Sequence, residues 1–295
     1  MNPMKNSRIV RLAAGLLAGN TIAHASLFTE TFDTYPLGAL PGSYTTESSW
    51  EVYDDPSFGA GSQVARGVGS QNNLMTSFTP KALAVGLTIS LQFDYRYTGV
   101  PIAIPQGNFI RFGLYDSHGT ASYADDTGFH ADITHFDNSA PGTGGFYQLR
   151  QESNSVDLFA GLLLDNQPGV LTAPPPDSDG STLFIQPKSV SDGTTVHTAR
   201  LEIRREVVGM TLALYVDDFT TPKVSGFTGT TLTSFDTLLL EKPAETATLP
   251  ALHIDNLVVD ASPVPEPEAY AGAFAAGALG YALWRRRGSK LAGLS

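Results

Sequence analysis

The chain has 295 residues, a net charge of −11 and no cysteine. The acidic balance disfavours nucleic acid and anionic membrane surfaces as partners, and the lack of cysteine excludes disulfide staples and thiol chemistry. Residues 26–262 hold 11 basic and 27 acidic residues. That region is long enough to bury a full core as a single domain.

The N-terminus has the three parts of a secretory signal peptide. Basic residues open the chain, and a modest apolar run follows over residues 12–22. Ala23 and Ala25 then form an A-x-A cleavage site before Ser26, which is the pattern that signal peptidase cleaves. We therefore predict that residues 1–25 direct the chain to the secretion translocon and are removed.

Residues 26–262 alternate between apolar and polar side chains, as β-strands with one buried face do. Leu87–Tyr97 is the clearest run, and Ala199–Arg204 with Met210–Val216 predicts a hairpin around Val208-Gly209. Further strands are predicted near Leu27–Phe32, Phe109–Tyr115, Gly145–Gln151, Thr182–Gln186, Phe235–Glu241 and Leu252–Val259. Many strands with decorated loops predict an all-β fold, a two-sheet antiparallel jelly-roll sandwich.

Three segments resemble concanavalin A-like jelly rolls. Residues 28–38 resemble their first strand and turn, and residues 198–218 resemble a hairpin that ends in Y-V-D-G, with Asp218 in place of the glycine. Residues 253–259 resemble their final strand, which pairs beside the first. The resemblance covers residues 27–260 in outline. It implies a fold that lectin-like modules, glycanases and purely structural domains share.

This resemblance also implies a structural Ca²⁺. Lectin-like sandwiches often hold the ion where the first and last strands meet, which here points to Glu30 and Asp33 with Asp255. Carboxylates are the oxygen ligands that Ca²⁺ prefers. Acidic residues of this kind also occur in solvated loops, and both interpretations stay open. No other cofactor is predicted.

Candidate ligand residues are aromatic side chains beside loops and one arginine-bearing strand. Trp50, Tyr115 and Tyr147 are of the type that stacks on sugar rings. Residues 200–204 are similar to the R-x-E-[LIV]-R strand of jelly-roll alginate lyases, which implies that Arg200 and Arg204 bind a uronate carboxylate. The chain lacks the accompanying Gln-Ile-His or Gln-Val-His, and without that base no lyase activity is assigned. A solvated strand with alternating Arg and Glu accounts for the same pattern.

No catalytic residue is predicted. The E-x-D-x-x-E run that a retaining glycanase would carry on such a strand is absent, and Glu202 and Glu206 lie over ~12 Å apart along a strand. The histidines are scattered, with no H-E-x-x-H and no G-x-S-x-G elbow.

The C-terminus has a three-part tail over residues 263–288. A short proline-rich motif precedes the uncharged, Ala- and Gly-rich segment 269–284, which spans roughly 24 Å as a helix, and an arginine cluster follows. The motif is Val264, Pro265, Glu266 and Pro267, and the cluster is Arg285, Arg286 and Arg287. This arrangement resembles the PEP-CTERM sorting domain of Gram-negative bacteria. The resemblance implies inner-membrane transit, processing by an exosortase near Pro265–Pro267 and association with exopolysaccharide.

The sequence thus predicts an exported, non-catalytic protein of the cell surface or extracellular matrix. A transient membrane anchor and sorting by an exosortase precede its final location, and a glycan is its candidate ligand. The alternative is a divergent polysaccharide lyase or glycanase on the same fold. A groove lined by an Arg/His/Tyr or paired-carboxylate cluster favours the enzyme, and a filled face favours binding or a structural role.

Overall fold

The computed structural model describes residues 26–47, 50–68, 71–98, 109–118, 127–134, 145–152, 181–188, 194–243 and 251–263. These ranges form strands, turns and loops. No helix within them is long and apolar enough to cross a membrane. The predicted signal peptide, the Pro-Glu-Pro motif, the apolar segment and the arginine cluster lie outside the described residues.

The strands form two antiparallel sheets. Sheet A contains β1 (Phe28–Glu30), β2 (Gly38–Ala39), β4 (Trp50–Asp54), β5 (Gln63–Gly67), β7 (Leu87–Thr98), β12 (His197–Arg205), β13 (Met210–Val216), β14 (Val224–Thr228) and β16 (Ala251–Pro263). Their order is β14-β13-β12-β7-β16-β5-β4-β2, and β1 also pairs with β16.

Sheet B has seven strands in the order β11-β10-β9-β8-β15-β6-β3. They are β3 (Thr45–Glu47), β6 (Gln71–Ala82), β8 (Phe109–Asp116), β9 (Thr127–Thr134), β10 (Gly145–Glu152), β11 (Ser181–Lys188) and β15 (Ser234–Pro243). The chain crosses between the sheets several times, and this is consistent with a jelly roll. The predicted all-β sandwich is confirmed.

One apolar core fills the space between the sheets. The alternation in β7 places Ile89, Leu91 and Phe93 on the inner face, fully buried, while the intervening residues are partly exposed. Across the sandwich the ring of Phe93 meets that of Phe112 edge to face, with centroids 4.8 Å apart. Such contacts, multiplied over the buried apolar side chains, hold the sheets together through removal of apolar area from water.

The first and last strands meet as the sequence predicted. β1 pairs with residues 257–259 of β16, and β5 pairs with residues 252–254 of the same strand. Between them β16 has a register shift against β7, and Asn256 has a φ of 51°. The irregularity lies where β16 changes its neighbour, and it places Asp255 beside the N-terminal turn.

Each predicted strand is present, and the structure contains seven further strands that the sequence did not predict. The unpredicted strands are β2, β3, β4, β5, β6, β9 and β14. Two of them, β6 and β9, are long strands with a neighbour on each side in sheet B, and both contribute side chains to the site that follows.

Candidate functional site

The face of sheet B that points away from the core carries two rows of buried side chains. The first, here called the polar row, crosses five strands at one level: Asn73, Glu241, Arg111, Asp132 and Gln148. The second, the neighbouring row, contains Met75, Leu239, Gly113, His130 and Arg150. No side chain of either row is more than 4% exposed. A polar set of this size rarely lies buried unless it is hydrogen-bonded and ion-paired.

Ion pairs join the charged members of the two rows. The guanidinium of Arg111 donates from Nε to Oδ1 of Asp132 at 2.9 Å and from Nη2 to Oδ2 at 3.3 Å. Its Nη1 lies 3.7 Å from Oε2 of Glu241. Arg150 approaches Asp132 Oδ2 from the other side, at 3.8 Å. Two guanidiniums thus face two carboxylates, and removing any one of the four leaves a buried charge without full compensation.

A phenol and an imidazole lie beside this network. The hydroxyl of Tyr115 shares a hydrogen bond with Nδ1 of His130, at 3.1 Å. Two glycines make room for the pair: a Cβ on Gly128 would lie 2.3 Å from Cδ1 of Tyr115, and one on Gly113 would lie 2.6 Å from Cβ of His130. A side chain at Gly113 or Gly128 would therefore displace the rings or the neighbouring backbone.

The imidazole of His130 is held neutral. Burial, and then the positive charges of Arg111 and Arg150, lower the pKa of His130 well below its usual value of 6.5. A neutral imidazole bonded to a phenol can accept or pass on a proton, and the adjacent guanidiniums can bind carboxylate or hydroxyl groups. All of these groups are almost completely buried.

The sequence-predicted ligand residues are not brought together. Trp50 is 6% exposed, is part of the core and packs its ring on Gly67, so its predicted role as an exposed stacking residue is corrected by its burial. Tyr115 is fully buried on the outer side of sheet B, where it contacts His130. Tyr147 packs against the core on the opposite side of the same sheet. All three residues lie in strands, and a position beside a loop does not by itself expose an aromatic ring.

Arg200 and Arg204 lie on the outer face of sheet A, away from the two rows. Arg200 pairs with Glu202 at 3.0 Å and stacks on Phe219, 4.3 Å from the ring centroid. Arg204 lies 3.4 Å from Glu206. The pairs therefore form along β12 and its following turn rather than between strands, and β12 lies inside the sheet between β7 and β13.

The predicted calcium ligands lie near one another but are engaged with protein groups. Glu30 accepts hydrogen bonds from two backbone amides and from the hydroxyls of Tyr35 and Tyr44. Asp33 accepts one from the amide of Gln63. No group of three or more acidic or histidine side chains able to hold a metal ion occurs among the described residues.

Four carboxylates lie near one another here, and we call them the β1–β16 cluster: Glu30, Asp33, Asp94 and Asp255. Asp255 is the member whose pKa is shifted most clearly. Burial raises the pKa of Asp255 to about 7, the hydrogen bond from the amide of Asn256 opposes this, and the negative charges of Asp33, Asp94 and Glu30 add to the rise. A structural Ca²⁺ at this place stays a prediction.

None of the residues in the two rows was predicted as a site residue from the sequence. Arg111 and Gln148 each lie in a predicted strand at positions that alternate with apolar residues, which is also the pattern of a solvated face. These residues are brought together by the cross-strand register, which is set between strands that lie far apart in the sequence. Glu241 pairs with Asn73 on one side and Arg111 on the other.

No protein-family model matches the chain, and no curated protein matches its sequence. Several solved structures are similar in outline. The carbohydrate recognition domain of Emp47p is 14% identical, over 82% of this chain and 98% of that one, with a TM-score of 0.48. An endo-1,3-β-glucanase from Streptomyces sioyaensis is 11% identical, over 80% of this chain and 96% of its own, with a TM-score of 0.44.

The exoplasmic/lumenal domain of VIP36, in its Ca²⁺/Man3GlcNAc-bound form, is 8% identical over 75% of this chain and 84% of its own length, with a TM-score of 0.44. These structures thus include both carbohydrate-recognition domains and a glucanase. At such low identities and TM-scores, they do not identify what this chain binds or whether it is catalytic.

Proposed function

We propose that this protein is an exported protein of the cell surface or extracellular matrix that binds a glycan on the outer face of sheet B. The observation that carries the proposal is the pair of rows on that face. They bring guanidinium, carboxylate, carboxamide, imidazole and phenol groups together on neighbouring strands. These are the groups that form multiple hydrogen bonds to the hydroxyls of a sugar.

The charge balance of the rows suggests the class of glycan. Arg111 and Arg150 face Asp132 and Glu241, so the network has no large net charge of its own. A neutral polysaccharide can exchange hydrogen bonds with such a set without leaving a charge unpaired. A uronate-bearing polysaccharide would compete with Asp132 for Arg150. The acidic charge of the chain makes nucleic acid an unfavourable partner.

The proposed route to the surface rests on the two terminal segments. The signal peptide supplies export through the translocon and cleavage by signal peptidase. The tail supplies recognition by an exosortase. In the structure, β16 ends at Pro263, directly before the motif Val264–Pro267, so the motif follows the folded domain without a long linker. A short connection of this kind suits a sorting signal that a membrane enzyme must reach.

The binding proposal is tested with the full chain on a glycan array, with and without Ca²⁺. His130→Gln and Arg150→Gln alter the neighbouring row, and Arg204→Gln on sheet A is the control because that side chain is half exposed. We expect the wild type and Arg204→Gln to bind the same glycans, and the two sheet B variants to lose at least tenfold in affinity while still unfolding cooperatively. Equal binding by all four proteins would refute the assignment of the site.

A second candidate function is a lyase for uronate polysaccharides, favoured by the hydrogen-bonded Tyr115 and His130 between two arginines. In such a reaction a base removes the C5 proton, the C4–O glycosidic bond breaks, a C4=C5 double bond forms and an acid protonates the leaving oxygen. The test is ultraviolet absorbance from the new conjugated double bond. Absorbance that grows with wild type and not with Tyr115→Phe would favour the lyase. Binding without any absorbance change would exclude it.

A glycanase is less well supported by the same face. Asp132 and Glu241 are the two carboxylates of the polar row, and Arg111 lies between them and pairs with both. A glycosidase needs one carboxyl group to be protonated and the other to be ionised. Both carboxylates of the polar row contact the same guanidinium, so neither has the apolar surroundings that a general acid of this kind needs.

A further inference from the structure

One end of the sandwich carries an exposed apolar patch. Among the described residues, six large apolar side chains are prominently exposed, and four of them belong to this patch: Val85 (50%), Val207 (85%), Val208 (70%) and Phe227 (53%). A folded domain gains nothing from apolar side chains in water, and clusters of them commonly mark contact surfaces.

The register of sheet A brings these four residues together. Val207 and Val208 form the turn between β12 and β13. The ring of Phe227 lies over this turn, since a Cβ on Gly209 would come within 2.7 Å of its Cζ. Val85 lies in the turn before β7, and the amide of the next residue, Gly86, donates to the carbonyl oxygen of Arg205 at 2.8 Å.

The C-terminal tail leaves the sandwich at this same end. Pro263, the last residue of β16, pairs with Leu87, the first residue of β7. Arg204 near the end of β12 pairs with Thr88, so the patch and the exit point lie at the same ends of adjacent strands. From Pro263 to the apolar segment that begins at Ala269, an extended chain reaches no more than roughly 20 Å.

We propose that this end of the sandwich lies on the outer surface of the membrane while the tail holds the protein there. The Val207–Val208 turn then inserts among the lipid headgroups, with Val85 and Phe227 beside it. The inference rests on the proposed function only in taking residues 269–284 as the membrane segment, and it does not depend on glycan binding. The tether is short enough to bring one end of the domain to the bilayer, and the exposed apolar residues lie at that end.

The lack of charge in the patch indicates which part of the bilayer it would contact. Its four members are uncharged, and the nearby Arg204 is paired with Glu206. Contact therefore depends on the interfacial region of the bilayer rather than on anionic headgroups. Because residues 26–262 hold 27 acidic and 11 basic residues, we expect no more insertion in vesicles that also contain phosphatidylglycerol than in vesicles of pure phosphatidylcholine.

The test uses single thiols, which is direct because the chain has no cysteine. Val208→Cys and Val85→Cys report on the patch, and Thr221→Cys reports on the opposite end, in the exposed turn between β13 and β14. Each full-length variant carries an environment-sensitive fluorophore and is reconstituted into phosphatidylcholine vesicles with and without brominated chains. Flotation on a density gradient shows incorporation.

The expected result is a blue-shifted emission at positions 208 and 85 that brominated lipid quenches, with neither effect at position 221. If the protein floats but positions 208 and 221 behave alike, the inference is overturned and the membrane segment stands. If the protein does not float, both are overturned, and glycan binding is unaffected. Shielding of position 208 without quenching by bromine would mean that a second copy of the chain covers the patch, which also overturns the membrane contact.

Discussion

Replacing Asp255 with asparagine should stabilise the protein at neutral and alkaline pH. The side chain is 3% exposed, and its pKa is raised from 3.8 to about 7 by burial and by the three other carboxylates of the β1–β16 cluster. An asparagine has no charge to bury, and its Oδ1 can accept the hydrogen bond that the amide of Asn256 now donates to Asp255 at 2.7 Å. The substitution therefore removes a repulsion and keeps the local contact.

The sign and size of the effect follow from proton linkage. Because the folded protein holds the proton of Asp255 more tightly than the unfolded chain, this group stabilises the fold below about pH 4, and that contribution is lost as pH rises toward 7. At about 1.4 kcal/mol per pKa unit, the loss is at most about 4 kcal/mol by pH 8. For a domain of this size, each kcal/mol corresponds to about 2–4 °C in Tm.

The assay is urea unfolding of wild type and Asp255→Asn at pH 5 and pH 8, in the presence of EDTA. Asp260→Asn is a matched control, because Asp260 lies in the same strand and also accepts a hydrogen bond from the next amide, at 2.8 Å. We expect Asp255→Asn to gain stability over wild type mainly at pH 8, and the control to show no such gain. A variant that is no more stable than wild type at pH 8 would refute the reasoning.

The wild type and Asp255→Asn can also be used to test the predicted calcium site. If a cation binds the β1–β16 cluster, it relieves the same repulsion, so Ca²⁺ at pH 8 should raise the Tm of wild type more than that of Asp255→Asn. A wild-type Tm that does not respond to Ca²⁺ would remove the predicted site at Glu30, Asp33 and Asp255.

Three further predictions concern sheet B. Asp132→Asn should lower the free energy of unfolding by about 3–5 kcal/mol, because it leaves the buried charges of Arg111 and Arg150 without full compensation. The control Glu202→Gln on sheet A should lower it by under about 1 kcal/mol. Equal losses of the two variants in urea unfolding would contradict this. Gly128→Ala should cost about 1–3 kcal/mol by driving a methyl group into Tyr115, and Gly42→Ala, which meets no atom within 4 Å, should be close to neutral. Because the folded-state pKa of His130 lies well below 6.5, its contribution to stability is present above that pH and is lost as pH falls below it. His130→Gln should therefore lose less stability than wild type on acidification, with exposed His118→Gln as the control; parallel acid profiles would count against a neutral buried imidazole.

Strands with one wet face are the easiest to predict from the sequence. β7 shows this best, since its buried and partly exposed residues alternate along nearly its whole length. The missed strand β6 is buried on both faces over residues 73–76. In β6, Leu74 faces the core while Met75 lies on the outer side, and both are at most 1% exposed. Such strands lose the alternation of polarity that makes a half-buried strand recognisable.

The site was harder to predict than the fold because it depends on register. His130 and Asp132 alternate with Phe129, Ala131 and Ile133 in β9, which in sequence is indistinguishable from a solvated strand. The burial of the polar partners and their pairing with Arg111 and Arg150 arise from three strands lying side by side. A one-residue slip in any of them would turn a charged side chain into the core.

The two proposals together predict where the glycan site lies relative to the membrane. In sheet B, Ser234 pairs with Ala82, which lies three residues before Val85 of the patch. Counting along β15 from Ser234 to Glu241, the polar row lies roughly 20 Å from Ser234. The rows run across the strands of sheet B, so if the patch end of the sandwich rests on the bilayer, a polysaccharide bound along the rows runs beside the membrane and not into it. Protein anchored in vesicles should therefore bind its glycan as well as protein in detergent does. Loss of binding on reconstitution would show that the row does not lie parallel to the bilayer at this height.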